Sequence, residues 1–177
     1  MRRSTHWAGQ SGRGHTLVAM IRPATPADVP EIANMIRELA EYEKAAHEAT
    51  VTEEQLHTAL FADHPAAFVH IAEHDGEVAG FTLWFLTFST WRGVHGIYME
   101  DLYVRPQHRG GGHGIALMKE LAGICAERGY QRFEWVVLDW NEPSIAFYDK
   151  LGAVRQDEWL KYRLTGEPLR RLAGRQG

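Results

Sequence analysis

Tyr103-Val104-Arg105-Pro106-Gln107-His108-Arg109-Gly110-Gly111-Gly112-His113-Gly114 joins an apolar run to a proline break and then to a cluster of glycines. Beyond it Ile115, Met118, Leu121, Ala122 and Cys125 recur at helical spacing. A helix is therefore expected to begin between Gly112 and Gly114 and to run to Arg128, with Gly129 as its stop. Glycines at a helix entrance let the backbone take positive φ and approach a ligand, while unpaired first-turn amides and the helix dipole attract an anion. Arg109 adds a fixed positive charge. The stretch reads as a phosphate cradle, with a ligand-free glycine turn as the plain alternative.

Two common phosphate loops do not fit. A P-loop needs lysine directly after its last glycine, and Lys119 stands inside the helix. A dinucleotide fingerprint starting at Gly112 needs Gly or Ala where Leu117 stands, and no βαβ series follows. What remains, Arg109 to Gly114, resembles the Arg/Gln-x-x-Gly-x-Gly/Ala pyrophosphate loop of the GNAT superfamily of N-acetyltransferases. Upstream, Ile97-Tyr98-Met99-Glu100-Asp101-Leu102-Tyr103-Val104 looks like that family's central strand. Downstream, Asn141-Glu142-Pro143-Ser144-Ile145-Ala146-Phe147-Tyr148-Asp149-Lys150-Leu151-Gly152 looks like its Asn-x-x-Ala/Ser-x-x-x-Tyr-x-x-x-Gly segment.

The resemblance implies acetyl-CoA as acetyl donor and no metal. It places the cofactor on the backbone of Leu102, Tyr103 and Val104, in the loop Arg109, Gly110, Gly111, Gly112, His113 and Gly114, and against Asn141 and Ser144. Within the family the chain looks most like the diamine (spermidine/spermine) acetyltransferases, and especially their thialysine N-ε-acetyltransferase branch, through Ser89-Thr90-Trp91, Val137 to Asn141 and the tail from Leu169 to Gly174. Tyr148 then falls where the family has the acid that protonates the departing thiolate, a task that suits a phenol. Glu100 falls where an acid relays the amine proton. Substrate contacts are expected from Glu43, Trp91, Glu100 and Asp139. Ser89 stands where the diamine enzymes carry an aspartate, so a small lysine-like amine or short diamine is expected rather than a long polyamine. Polyamine acetylation, peptide or protein acetylation, and a non-catalytic acyl-CoA-binding module are the alternatives.

Composition sets the outer bounds. At 177 residues, 45% of them hydrophobic, one domain with a real core is expected over residues 20–174, behind a lead at 1–19 that looks disordered or appended. A net charge of −4 argues against a nucleic-acid partner and suits a cationic substrate. A single cysteine, Cys125, forbids an internal disulfide and fits a reducing, cytoplasmic setting. No run approaches the roughly 20 apolar residues of a membrane span, so no membrane partner is expected. The family resemblance also implies a homodimer.

The element order reads strand (to Arg22), helix (from Asp28), short helix (from Thr52), a hairpin across Asp75-Gly76, strand, glycine loop and helix, strand (Phe133 to Trp140), helix (to Leu151) and last strand (Trp159 to Leu164). This gives an α/β (α+β) architecture: a mixed, mostly antiparallel sheet of six to seven strands, about four helices, and the splayed cofactor slot of the family. Asp101, next to Glu100 on a regular strand, would point to the opposite face. His70 with His74, and His108 with His113, form possible metal pairs without a convincing third ligand. Cys125 is read as packing.

Overall fold

The computed structural model describes residues 19–174. The expected lead lies outside the described residues apart from Ala19. Five strands and five α-helices follow in the order β1 Met20–Pro23, α1 Val29–Tyr42, α2 Glu53–Phe61, β2 Phe68–His74, β3 Glu77–Ser89, β4 Val94–Val104, α3 His113–Arg128, β5 Phe133–Glu134, α4 Glu142–Lys150 and α5 Gly166–Leu172. The chain divides into two compact units, one ending at Val136 and the other beginning at Val137.

In the first unit the strands lie in the order β1-β2-β3-β4-β5. The first three pairings are antiparallel and β4–β5 is parallel, so the sheet is mixed and mostly antiparallel as expected. Side chains on one face of the sheet, Val69, Ile71, Phe81 and Tyr103, pack with Val29, Ile32 and Met35 of α1 and with Leu56 and Leu60 of α2. On this face Ile71 pairs with Phe81, and Phe81 with Tyr103, so the alternation of three strands delivers one core. Burying each of these side chains stabilises by about 1.5–3 kcal/mol. Helix α3 covers the opposite face, where Glu120 approaches His70. His113, Leu117, Met118, Leu121 and Cys125 are its buried positions; Ala122, expected among them, is exposed.

Local signals account for most boundaries. Thr52 caps α2 by accepting from Gln55 N, and Gln55 returns a bond to the Thr52 amide. The β2–β3 hairpin turns at Asp75 and Gly76, with φ of 51° and 83°, the left-handed pair that a tight hairpin requires. Asp28 precedes α1 without capping it. Its carboxylate turns back to accept from Thr25 N and Oγ1 and from Arg22.

Two expectations fail at the C-terminal end. The strand expected from Phe133 to Trp140 stops at Glu134, where its ladder with β4 ends at the Tyr98–Glu134 pair. The last strand expected over Trp159 to Leu164 is not formed, so among the described residues the sheet has five strands instead of six or seven. A β-rich segment becomes a strand only where a partner offers backbone groups. These residues keep their apolar side chains in solvent, with Trp159 69%, Leu160 77% and Tyr162 88% exposed.

Candidate active site

Strand β4 feeds directly into the glycine loop. Pro106 opens a single 3-10 turn, Gly110 and Gly112 take φ of 79° and 83°, and α3 starts at His113. No side chain caps the helix at Gly112, so its first-turn amides remain available to an anion. Gly111 is closely packed: a Cβ there would stand 3.2 Å from His113 Nε2 and 3.3 Å from the His108 carbonyl, so one of them would have to shift slightly. Arg109 Nε donates to the Val104 carbonyl at 2.9 Å, and its guanidinium lies over the rings of Tyr42 and Tyr103 at 5.1 and 5.9 Å. The positive charge is therefore fixed where the strand ends and the loop begins.

Leu102 and Val104 pair with Thr82 and Gly80 of β3 on one side. On the other side β5 leaves β4 after Tyr98. From Met99 onward, β4 has a strand neighbour on one side only among the described residues, which is the open edge expected of a splayed slot. Tyr103 turns its side chain into the core, so only its backbone faces this edge as a candidate contact.

A bulge reshapes the middle of β4. Leu83 pairs with Asp101 and Trp84 with Met99, leaving Glu100 as the extra residue. The alternation that would send Asp101 to the face opposite Glu100 is interrupted at that point. Removal from water, and then the negative charges of Glu100 and Glu43, push the Asp101 carboxyl up to about 7. Glu43, just past the end of α1, is also pushed upward by burial. The charges of Glu43 and Glu100 thus both act on Asp101. Sequence reasoning named Glu43 and Glu100 as candidates but took the strand at Asp101 to be regular, because a bulge leaves no signature in residue order.

Two further expected residues sit at the connection between β3 and β4. Trp91 projects into solvent from the turn between β3 and β4. Ser89 is buried at the end of β3, where its Oγ accepts from Arg92 N of the following turn at 3.3 Å. Asp139, Asn141, Ser144 and Tyr148 belong to the second unit. There Asn141 caps α4 by accepting from Ser144 N, Tyr148 rests 5.3 Å from the Phe147 ring, and Asp139 is exposed. Cys125 is buried in α3, with burial pushing its thiol up, as packing requires.

One cluster escaped the sequence reading. His74 at the end of β2, His108 in the turn after β4 and His113 at the start of α3 bring their rings together. His113 is only 2% exposed and neither ring nitrogen has a hydrogen-bond partner among the described residues. An unsatisfied buried polar group costs about 1–3 kcal/mol. Burial, and then the neighbouring His74 and His108, hold the His113 imidazole below its usual value. His70 is engaged separately, its Nδ1 accepting from Trp84 Nε1 at 3.1 Å.

A bulged central strand with an open edge runs into a glycine-lined helix entrance without a side-chain cap, an arrangement that suits an extended anionic ligand. The sequence pattern of the Acetyltransferase (GNAT) family matches residues 32–153. The chain belongs to this family and is an acetyltransferase. It is 39% identical over 166 residues to a thialysine N-epsilon-acetyltransferase of Mus musculus, covering 88% of this chain and 97% of that protein. An L-ornithine N5-acetyltransferase of Arabidopsis thaliana is 30% identical, with 92% and 91% covered. Among solved structures, an integron cassette protein from the mobile metagenome of V. cholerae superposes with a TM-score of 0.74 at 28% identity, over 88% of this chain and 97% of that one.

Proposed function

We propose that the chain moves an acetyl group from acetyl-CoA directly to the primary amine of a small molecule of the diamino-acid or short-diamine type. The observation that carries this reading is the carboxylate group Glu43, Glu100 and Asp101, set on and beside the strand that feeds the glycine loop. Such a group attracts an ammonium ion, and acetylation requires that ion to lose a proton before it can attack. Glu100 relays the proton through water and Asp101 receives it. The free amine attacks the thioester carbonyl, and the tetrahedral intermediate collapses to the amide and the CoA thiolate. Tyr148 donates its phenolic proton to that sulfur and recovers a proton, through water, from the attacking nitrogen, which sheds its second proton as the amide forms. The loop from Arg109 to Gly114 holds the diphosphate, the backbone of Leu102 and Val104 holds the pantetheine arm, and Asn141 and Ser144 hold its far end.

The named relatives act on amino acids with a second, side-chain amine, which supports a substrate of that size. Buried Ser89, engaged with the turn that follows it, offers no anion to a distant ammonium. The comparison that tests this is kcat/KM with acetyl-CoA for thialysine, lysine, ornithine, putrescine and spermidine. The diamino acids are expected to be turned over best, and a strong preference for spermidine would overturn the assignment. The same reading includes a cytoplasmic homodimer. Trp159, Leu160 and Tyr162, all exposed on the second unit, support a second copy as their cover.

A further inference from the structure

We propose that His74, His108 and His113 form a binding site for a first-row divalent cation of the zinc class. The nitrogens that each ring offers all lie within 4.8 Å of one another. The ring centroids are 5.2 Å apart for His74–His108, 5.2 Å for His74–His113 and 6.0 Å for His108–His113. Imidazole nitrogens bind zinc at about 2.0–2.1 Å, which places them roughly 3.4 Å apart around a tetrahedral ion. The cluster therefore has to contract, and His74 and His108, only half buried, have room to rotate. His113 has least freedom and most to gain. Its imidazole is almost wholly buried with both nitrogens unpartnered among the described residues, aimed among the other two rings.

The chemistry selects the ion. Three neutral imidazoles suit zinc, nickel or copper, and they leave a fourth position for water. The Asp75 carboxylate, 3.8 Å from His74 Nε2, sets an anion beside a site that would hold a dication. Such anions around metal-bound histidines orient the ring and raise its basicity. The three ligands come from three separated pieces of chain: the end of β2 and the two ends of the glycine loop. A shared ion would pin His108 to His113 across the loop and tie both to the sheet. Its role is to brace the loop, and its presence does not depend on which amine is acetylated.

Calorimetric titration of zinc chloride into the chelator-stripped full chain tests the site, alongside His74→Ala and His108→Ala. The wild type is expected to bind one equivalent, and each variant to bind at least about tenfold more weakly for the loss of one of three ligands. Thermal melts run beside the titration should show zinc raising the wild-type midpoint and leaving both variants unmoved. If one variant fails to fold, the other decides the matter. No saturable binding to the wild type would reduce the cluster to ring packing, and unchanged binding in a folded variant would put the ion elsewhere. Either result overturns the proposal.

Discussion

Arg105 Nη2 donates to Glu38 Oε1 at 2.9 Å, while Arg105 Nη1 meets Glu31 at 2.6 Å. The residue immediately after β4 is thereby clamped to two points along α1. A third bond, from Nη1 to the Val78 carbonyl, ties the same guanidinium to β3. The start of the glycine loop is thus held to α1 and β3 by one side chain.

Replacing Arg105 by Met keeps the aliphatic stem and removes every one of these bonds. Charge-assisted bonds to a partly exposed guanidinium predict a loss of about 1–3 kcal/mol, since both glutamates are left facing each other. Urea denaturation of Arg105→Met against the wild type reads this directly. A midpoint equal to wild type would show that the clamp contributes nothing.

Asp101 and Asp28 should pull stability in opposite directions with pH. Asp101 has a folded value near 7 against 3.8 for the free side chain, so between these values the folded chain keeps a proton that the unfolded chain releases. Its penalty is absent below pH 4 and complete above about 7. Asp101→Asn should therefore gain stability over wild type as pH rises from 4 to 8. The same variant should lose the rising limb of kcat/KM near neutrality. Melts at the two pH values check the first effect, and a difference that does not grow with pH contradicts it.

Asp28 is the reverse case. Arg22, and then Thr25, hold its carboxyl down to about 2 from 3.8, so its contribution is present above pH 4 and lost as pH falls through 2. The gap corresponds to about 2 kcal/mol. Asp28→Asn should melt lower than wild type at pH 7 and converge with it near pH 2. Parallel acid-denaturation curves for the two proteins would speak against the Arg22–Asp28 pair.

Tyr148→Phe should bind CoA as tightly as wild type and transfer acetyl at least about tenfold more slowly, the lower end for a lost general acid. Single-turnover kinetics with saturating amine separates the two quantities. A variant as fast as wild type removes Tyr148 from the chemistry.

Much of the first unit could be read from residue order, because its signals are local. Gly112, Arg128 and Gly129 bound α3 where helical spacing and the glycine stop put it, and Asp75-Gly76 marks its hairpin. The features that could not be read depend on partners far along the chain. Trp159 to Leu164 carries the residues of a strand but finds no ladder partner among the described residues. His74 joins His108 and His113 only because β2 and the loop meet in space, so pairing histidines by nearness in sequence missed the third. Asp101 was displaced by a single bulged residue, Glu100, which resets the period-two alternation for the rest of the strand.

Backbone hydrogen exchange, monitored by mass spectrometry with and without acetyl-CoA, puts the cofactor cradle to the test most directly. Amides from Gly110 to Ile115 should exchange more slowly when the diphosphate occupies the entrance of α3. Saturating acetyl-CoA that leaves those amides unprotected would contradict the placement of the cofactor on this loop.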